Sequence, residues 1–226
     1  MIGPSRARDV LSSIGWLSKQ PKEFQAEVFG RAVPVKYAAG EVIYRLGDPL
    51  GGIYGIVSGA LIVTAAPPAA TPRLVHVLTP GGWVGEGPFL SREPRLLGLQ
   101  AAIATVAVYL PLDSMDQIAG RDPTATRRFT RIMLNNLNIL IRAFYDLQDH
   151  DEHRRIALAL RRIAATEDTP IPLAQSALGT LSNTSRKTVN AALHRFAKAG
   201  WVKTAYRSVT ITNLKGLSRY ADSGID

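Results

Sequence analysis

The chain has 226 residues, 46% hydrophobic and 20% charged, with 27 Lys and Arg against 18 Asp and Glu and no cysteine. That length suits one large domain or two small ones with proper cores, and the composition argues against general disorder. The lack of cysteine excludes disulfide frameworks, thiolate-held zinc or iron–sulfur centres and thiol nucleophiles. With no run of roughly 18 apolar residues and no signal-peptide core, a soluble cytoplasmic protein is expected.

Apolar residues Val10, Ile14 and Leu17, then Phe24 and Val28, predict one or two short amphipathic helices split by Pro21. From Ala32 to Leu112, short runs rich in Val, Ile, Tyr and Leu alternate with Gly and Pro breaks. Such spacing predicts an antiparallel sandwich or barrel. Within it, Ala101 to Leu112 reads as one buried strand, and His76 as a packed strand residue. Glycine and proline then vanish from Thr124 to Gln148. Met133, Leu137, Leu140, Phe144 and Leu147 are spaced 4, 3, 4, 3, a heptad seam. Phe129, Ile132, Ile139 and Ile141 widen the apolar surface, so this helix needs two partners, the sheet domain and a second copy of itself. A single buried core helix is the alternative.

A polar break follows, in which Asp151 is placed to cap the next helix. Ile156, Leu160 and Ile163 mark the buried face of that helix, which is expected to end near Glu167, with Thr169–Pro172 as a linker. Residues 173–201 read as helix–turn–helix. The first helix runs from Leu173 to about Leu181, Ser182-Asn183-Thr184 is the turn, Ser185 the N-cap, and the second helix runs from Arg186 to Ala199 before Gly200. Val189, Ala192, Leu193 and Phe196 form its buried stripe, and Arg186, Lys187, Asn190, Ala191 and His194 its opposite face. Arg and Asn on the first turns can read guanine and adenine edges in a major groove. Two strands, Trp201–Lys203 and Ser208–Thr212, joined by a loop with Tyr206 and Arg207, predict a wing that meets phosphates. Charge agrees with this. Residues 151–226 hold 12 basic and 6 acidic side chains, and between Asp168 and Asp222 eight cations meet no acid at all. Such a field attracts polyanions.

The sheet carries Ala39-Gly40-Glu41-Val42-Ile43-Tyr44-Arg45-Leu46-Gly47-Asp48-Pro49, then Gly52-Ile53-Tyr54-Gly55-Ile56-Val57-Ser58-Gly59, then Thr79-Pro80-Gly81-Gly82-Trp83-Val84-Gly85-Glu86. With the later Ser185-Arg186 and Thr188-Val189, order and spacing over nearly the whole chain resemble the bacterial regulators of the cyclic-AMP receptor protein and fumarate–nitrate regulator superfamily. The resemblance implies an α+β protein in three parts. Residues 1–123 would form an antiparallel, cyclic-nucleotide-binding-like β-roll (a jelly roll) with N-terminal helices. Residues 124–150 would form the dimerisation helix, and residues 151–226 the winged helix-turn-helix. It implies a homodimer that binds a pseudo-palindromic duplex through Ser185, Arg186, Lys187, Asn190, His194, Lys203 and Arg207, works with RNA polymerase, and has no membrane partner. Lys187 stands where the family commonly has glutamate, and Ala191 where it has arginine, so a divergent operator is expected.

The resemblance also implies an effector site at Gly85, Glu86 and Arg95, a glutamate for a ribose hydroxyl and an arginine for phosphate. The usual phosphate-binding hydroxyl is Leu96 here, the purine-facing hydroxyls fall at Leu140 and Ile141, and Gly87-Pro88 replaces an apolar pair. Each lost charged hydrogen bond costs about 1.5–3 kcal/mol. The ligand of this pocket is therefore expected to have changed, to another small effector or a cyclic nucleotide held differently, or to have disappeared, and no cofactor is assigned. A structural Glu86–Arg95 ion pair is the alternative. Asp146, His150 and His153 would share a face only if the helix continued, so a solvated hinge is favoured over a metal site. No Walker loop, His-Glu-x-x-His or complete Gly-x-Ser-x-Gly is present, so no enzyme is expected. The competing reading is a cyclic-nucleotide-binding-like sensor module that acts on a protein partner.

Overall fold

A computed structural model describes residues 4–164 and 167–223. The chain forms two compact units, residues 1–137 and 138–226, and the division falls inside one long helix.

The first unit opens with α1 (Pro4–Ser13), a 3-10 turn (Leu17–Lys19) and α2 (Lys22–Arg31), separated at Pro21 as the apolar spacing predicts. Eight strands follow: β1 (Val33–Tyr37), β2 (Val42–Tyr44), β3 (Ile53–Ser58), β4 (Leu61–Ala65), β5 (Arg73–Leu78), β6 (Trp83–Val84), β7 (Gly98–Ala101) and β8 (Thr105–Leu110). The short helix α3 (Gly87–Ser91) interrupts them, and α4 (Leu112–Arg121) closes the roll. They pair antiparallel as two four-stranded sheets, β1-β8-β3-β6 and β2-β7-β4-β5. The run expected as one strand from Ala101 to Leu112 is instead the end of β7, a turn and β8. The chain leaves one sheet for the other there, because β7 pairs with β4 and β8 with β3.

Alternation along the strands produces two cores. Between the sheets lie Tyr44, Ile56, Leu61, Val63, Leu78, Val84, Leu99 and Ala101. The other face of β3 and β8 is covered by helices, with Leu11, Trp16, Phe24, Val28, Met115, Ile118 and Phe129 buried against Ile53, Val57, Val108 and Leu110. Trp16 stacks on Phe129 (centroids 5.8 Å apart), which also meets Phe24 and Phe89 at 5.5 and 5.1 Å. The α1 residues fully inside are Ala7 and Leu11 rather than Val10 and Ile14, which are half-buried.

The long helix α5 spans Ala125–Asp146. Phe129 and Ile132 are buried, whereas Met133, Leu137, Leu140 and Phe144, and Leu147 just beyond, are 41–69% exposed.

The second unit continues with α6 (Glu152–Ile163), β9 (Pro170–Ile171), α7 (Gln175–Ser182), α8 (Arg186–Lys198), β10 (Val202–Ala205), β11 (Ser208–Ile211) and α9 (Leu214–Asp222). Asp151 caps α6, its carboxylate accepting from the N–H groups of His153 (2.8 Å) and Arg154 (3.2 Å). Two sequence expectations are corrected here. Helix α6 stops at Ile163, not near Glu167, and the Glu167 carboxylate instead accepts from the N–H of Leu214 at the start of α9. The expected linker Thr169–Pro172 supplies β9, which pairs with Val209 and Thr210 to complete the sheet order β10-β11-β9. Proline is tolerated there because β9 is an edge strand. No described helix is long and apolar enough to cross a membrane.

Candidate functional site

Two groups of side chains carry the candidate chemistry, one in each unit. In the second unit α7 and α8 meet at a tight turn. Asn183 takes a left-handed conformation (φ 49°, ψ 53°), and its N–H and that of Thr184 return to α7 carbonyls. Gly179 is required beside it, since a Cβ there would lie 2.8 Å from the Thr184 carbonyl oxygen. Arg155 braces the corner, donating to the backbone oxygens of Ser182 (2.9 Å), Asn183 (3.1 Å) and Asp149 (2.8 Å). Ser185 caps α8, its hydroxyl accepting from the Thr188 N–H at 3.0 Å.

Helix α8 is anchored by the predicted stripe. Val189, Ala192, Leu193 and Phe196 are all buried, and Phe196 packs on Trp201 and Tyr220. Arg186, Lys187, Asn190, Ala191 and His194 are exposed. Among the described residues Arg186, Lys187, Asn190 and His194 make no side-chain hydrogen bond or ion pair, so their donors face water. A concavity of about 550 Å³ separates α8 from the hairpin β10–β11, with Gln175, Ser176, Arg186, Tyr206 and Arg207 on its walls. Tyr206, 91% exposed, and Arg207 (φ 52°) form the hairpin tip. Lys203 is exposed on β10 but is not among the residues that line this concavity. All eight cations of the acid-free interval are exposed. Arg195 alone among them lies over an aromatic ring, that of Tyr220, at 4.8 Å.

In the first unit Gly85, Glu86 and Arg95 come together, but inside the protein. Arg95 is 5% exposed and donates to the carbonyls of Gly85 and Gly52, both at 2.9 Å. Its guanidinium lies 4.2 Å from the centre of the Tyr44 ring. Gly85 has φ +103°, and a Cβ there would stand 2.9 Å from the same guanidinium, so glycine is what lets Arg95 lie down. Glu86 accepts from the Asn136 side-chain amide at 3.1 Å. Burial pushes the Glu86 carboxyl above the ordinary range, partly offset by backbone N–H donors, by Asn136 and by the Arg95 charge. No direct Glu86–Arg95 ion pair forms among the described residues, so the ion-pair alternative is replaced by a carbonyl-and-ring cradle.

Pro88 sits in the first turn of α3, where it removes an N–H that this short helix could offer to phosphate. Leu96, Leu140 and Ile141 are exposed at 66%, 44% and 55%. The sequence reading missed Tyr44, Asn136 and a cluster formed by Tyr37, Tyr44, Tyr54 and Tyr109, whose nearest ring centres are 4.7 Å apart. Period-two alternation puts Tyr44 inward from β2, which was a usable signal; nothing in the spacing pointed to Asn136. At the α5–α6 corner, Asp146 pairs with Arg162 instead of with a histidine. Among the described residues no group of three His, Asp or Glu is placed to hold a metal.

Comparison with known proteins bears on both units. Residues 34–122 match the cyclic nucleotide-binding domain family, and residues 154–220 the Crp-like helix-turn-helix domain family. The chain belongs to the Crp/Fnr superfamily. It is a DNA-binding transcription regulator with a sensory domain, not an enzyme. The CRP-like cAMP-activated global transcriptional regulator of Mycobacterium tuberculosis is 26% identical over 196 residues, covering 83% of this chain and 88% of that protein. Two solved structures share the fold. FixK2 from Bradyrhizobium japonicum has a TM-score of 0.69 at 21% identity, with 83% of this chain and 96% of that one covered. A CRP/FNR-family transcriptional regulator from Thermus thermophilus has a TM-score of 0.62 at 22% identity, with 84% and 98% covered. In this Crp/Fnr chain the α+β architecture expected from the sequence, β-roll, long helix and winged helix-turn-helix, is the architecture observed.

Proposed function

We propose that the protein is a homodimer that inserts α8 into the major groove of a pseudo-palindromic duplex. The observation that carries this reading is a helix with one face buried and the other bearing Arg186, Lys187, Asn190 and His194 exposed and without partners. Arg186 and Asn190 are one turn apart and are suited to base edges; Ser185, Lys187, Lys203 and Arg207 are suited to phosphates. The exposed seam Met133, Leu137, Leu140, Phe144 and Leu147 supports pairing of two copies of α5, since so large an apolar face is costly to leave in water. A dimer would offer two α8 helices to half-sites about one helical turn apart. It would act in the cytoplasm, where the chromosome and RNA polymerase are.

The reading of the β-roll follows from its interior. Arg95 already holds two carbonyls and a ring, Leu96 offers no hydroxyl, and Pro88 no N–H. A ligand phosphate would have to compete for Arg95, so we infer that cyclic AMP is not bound in the usual mode and that the physiological effector is another small molecule. The test is equilibrium binding of the full chain to a randomised duplex pool, with sedimentation to count protomers. The expected result is a dimer on a two-fold related site, lost in Phe144→Asp. A monomer that binds DNA equally well, or affinity insensitive to salt, would contradict the reading. Salt-insensitive binding would favour a protein partner instead.

A further inference from the structure

A second concentration of positive charge lies in the first unit, far in sequence from the recognition helix. The 3-10 turn and the first turns of α5 enclose a concavity of about 660 Å³ whose walls include Lys19, Arg127, Arg128 and Arg131, with Thr124 and Leu134. Four cations therefore converge from two elements. Among the described residues the only carboxylate within ion-pair distance of any of them is Asp122, 3.6 Å from Arg128. That carboxylate already accepts from the Thr124 hydroxyl (2.7 Å) and N–H (2.8 Å). Lys19, Arg127 and Arg131 are not buried and have no ion-pair partner among the described residues. From Pro123 to Tyr145 the chain has no acid, and the one acid of α5, Asp146 at its far end, is paired with Arg162.

The walls are held before any ligand arrives. The Trp16 indole N–H donates to the Arg128 carbonyl at 2.7 Å, tying the turn to α5. Trp16, Phe24 and Phe129 pack together beneath, and Arg128 is fixed over the Phe24 ring at 5.4 Å. Like charges gathered on a rigid wall repel each other, and a bound polyanion relieves that repulsion.

We propose that this concavity binds a small polyphosphorylated anion, of the nucleoside di- or triphosphate class, through Lys19, Arg127 and Arg131, with Arg128 as the fixed fourth cation. The size is that of a small-molecule site rather than of a duplex, whose phosphates need cations strung along a stripe. Guanidinium forks suit adjacent phosphate groups, which each arginine can grip in bidentate fashion. The site is separate from Gly85, Glu86 and Arg95 and gives the regulator a second input.

The test is calorimetric titration of the full chain, without DNA, with orthophosphate, pyrophosphate, tripolyphosphate and ATP at one ionic strength. Two double variants of equal charge change are compared, Arg127→Gln/Arg131→Gln and Arg186→Gln/Lys187→Gln. Thermal unfolding of both should match the parent, since none of the four residues is buried. The expected result is affinity rising from orthophosphate to tripolyphosphate, weakened about tenfold or more by the first double variant and little changed by the second. ATP binding tighter than tripolyphosphate would assign the site to nucleotides, and equal binding to the phosphate chain alone. No binding of any probe, or equal losses in both variants, would overturn the proposal. So would a first variant that keeps tripolyphosphate but loses duplex DNA.

Discussion

The polar residues of the two candidate sites are arranged in opposite ways. In the β-roll, Arg95 and Glu86 point inward and have partners: two carbonyls and a tyrosine ring for one, an asparagine amide and backbone N–H groups for the other. On α8, Arg186, Lys187, Asn190 and His194 stand in water with none. A surface meant for a large polyanion must keep its charges uncommitted, because every internal bond has to be broken before a phosphate or base can be held. A buried guanidinium has no such freedom; once desolvated it must be satisfied internally, and it becomes part of the fold. The same residue type is therefore part of the fold at Arg95, as it is at Arg155 and Arg162, and is left for a partner at Arg186.

The sharpest way to break the contrast is to remove an internal partner. Asp146→Ala leaves Arg162, whose side chain is 5% exposed, without its carboxylate, and should destabilise the second unit by about 3 kcal/mol or more. Adding Arg162→Met should recover most of that in urea unfolding; failure to recover would mean Asp146 acts through something other than the pair. Next in size is Arg95→Met. If Arg95 is a structural brace, the ligand-free protein should lose about 2–3 kcal/mol as the Gly52 and Gly85 carbonyls go unsatisfied. A purely ligand-binding arginine would leave ligand-free stability unchanged. Ser185→Ala tests the N-cap of α8, whose hydroxyl accepts from the Thr188 N–H, and its loss should cost about 1 kcal/mol.

The smallest expected effect is a pH dependence. The Glu86 carboxyl is held above the ordinary range, so the native state binds its proton more tightly than the unfolded chain. The native state is then favoured below the ordinary carboxylate pKa, and that advantage fades as pH rises through the raised value. Glu86→Gln should accordingly raise the melting temperature slightly at pH 7, with the gain shrinking on acidification. A gain that grows in acid would reverse the assignment.

These contrasts also explain what could be read from the residues alone. The cap at Ser185, the stripe Val189–Phe196 and the turn at Asn183 rest on local periodicity and turn chemistry, and they are found where the spacing puts them. What escaped reading depends on long-range partners. Pro170–Ile171 looks like a linker until Val209 and Thr210 lie beside it. Helix α6 stops at Ile163 although Ala164 favours helix, and no local signal marks the stop. Helix α9, with Leu217 and Ala221 inside, was not foreseen, because nine residues give little periodicity to judge. Exposure of Arg186 was legible because an amphipathic helix has a solvent side; burial of Arg95 was not, because its carbonyl partners are 43 and 10 residues away.

The most direct measurement is the affinity of Arg186→Ala for a set of duplexes in which each base pair of the selected site is replaced in turn. The account predicts a loss of about 1–3 kcal/mol on the intact site, and indifference to replacement at one symmetry-related pair of positions where the parent discriminates. Equal weakening on every duplex would make Arg186 a phosphate contact, and an unchanged profile would mean that α8 does not read the groove.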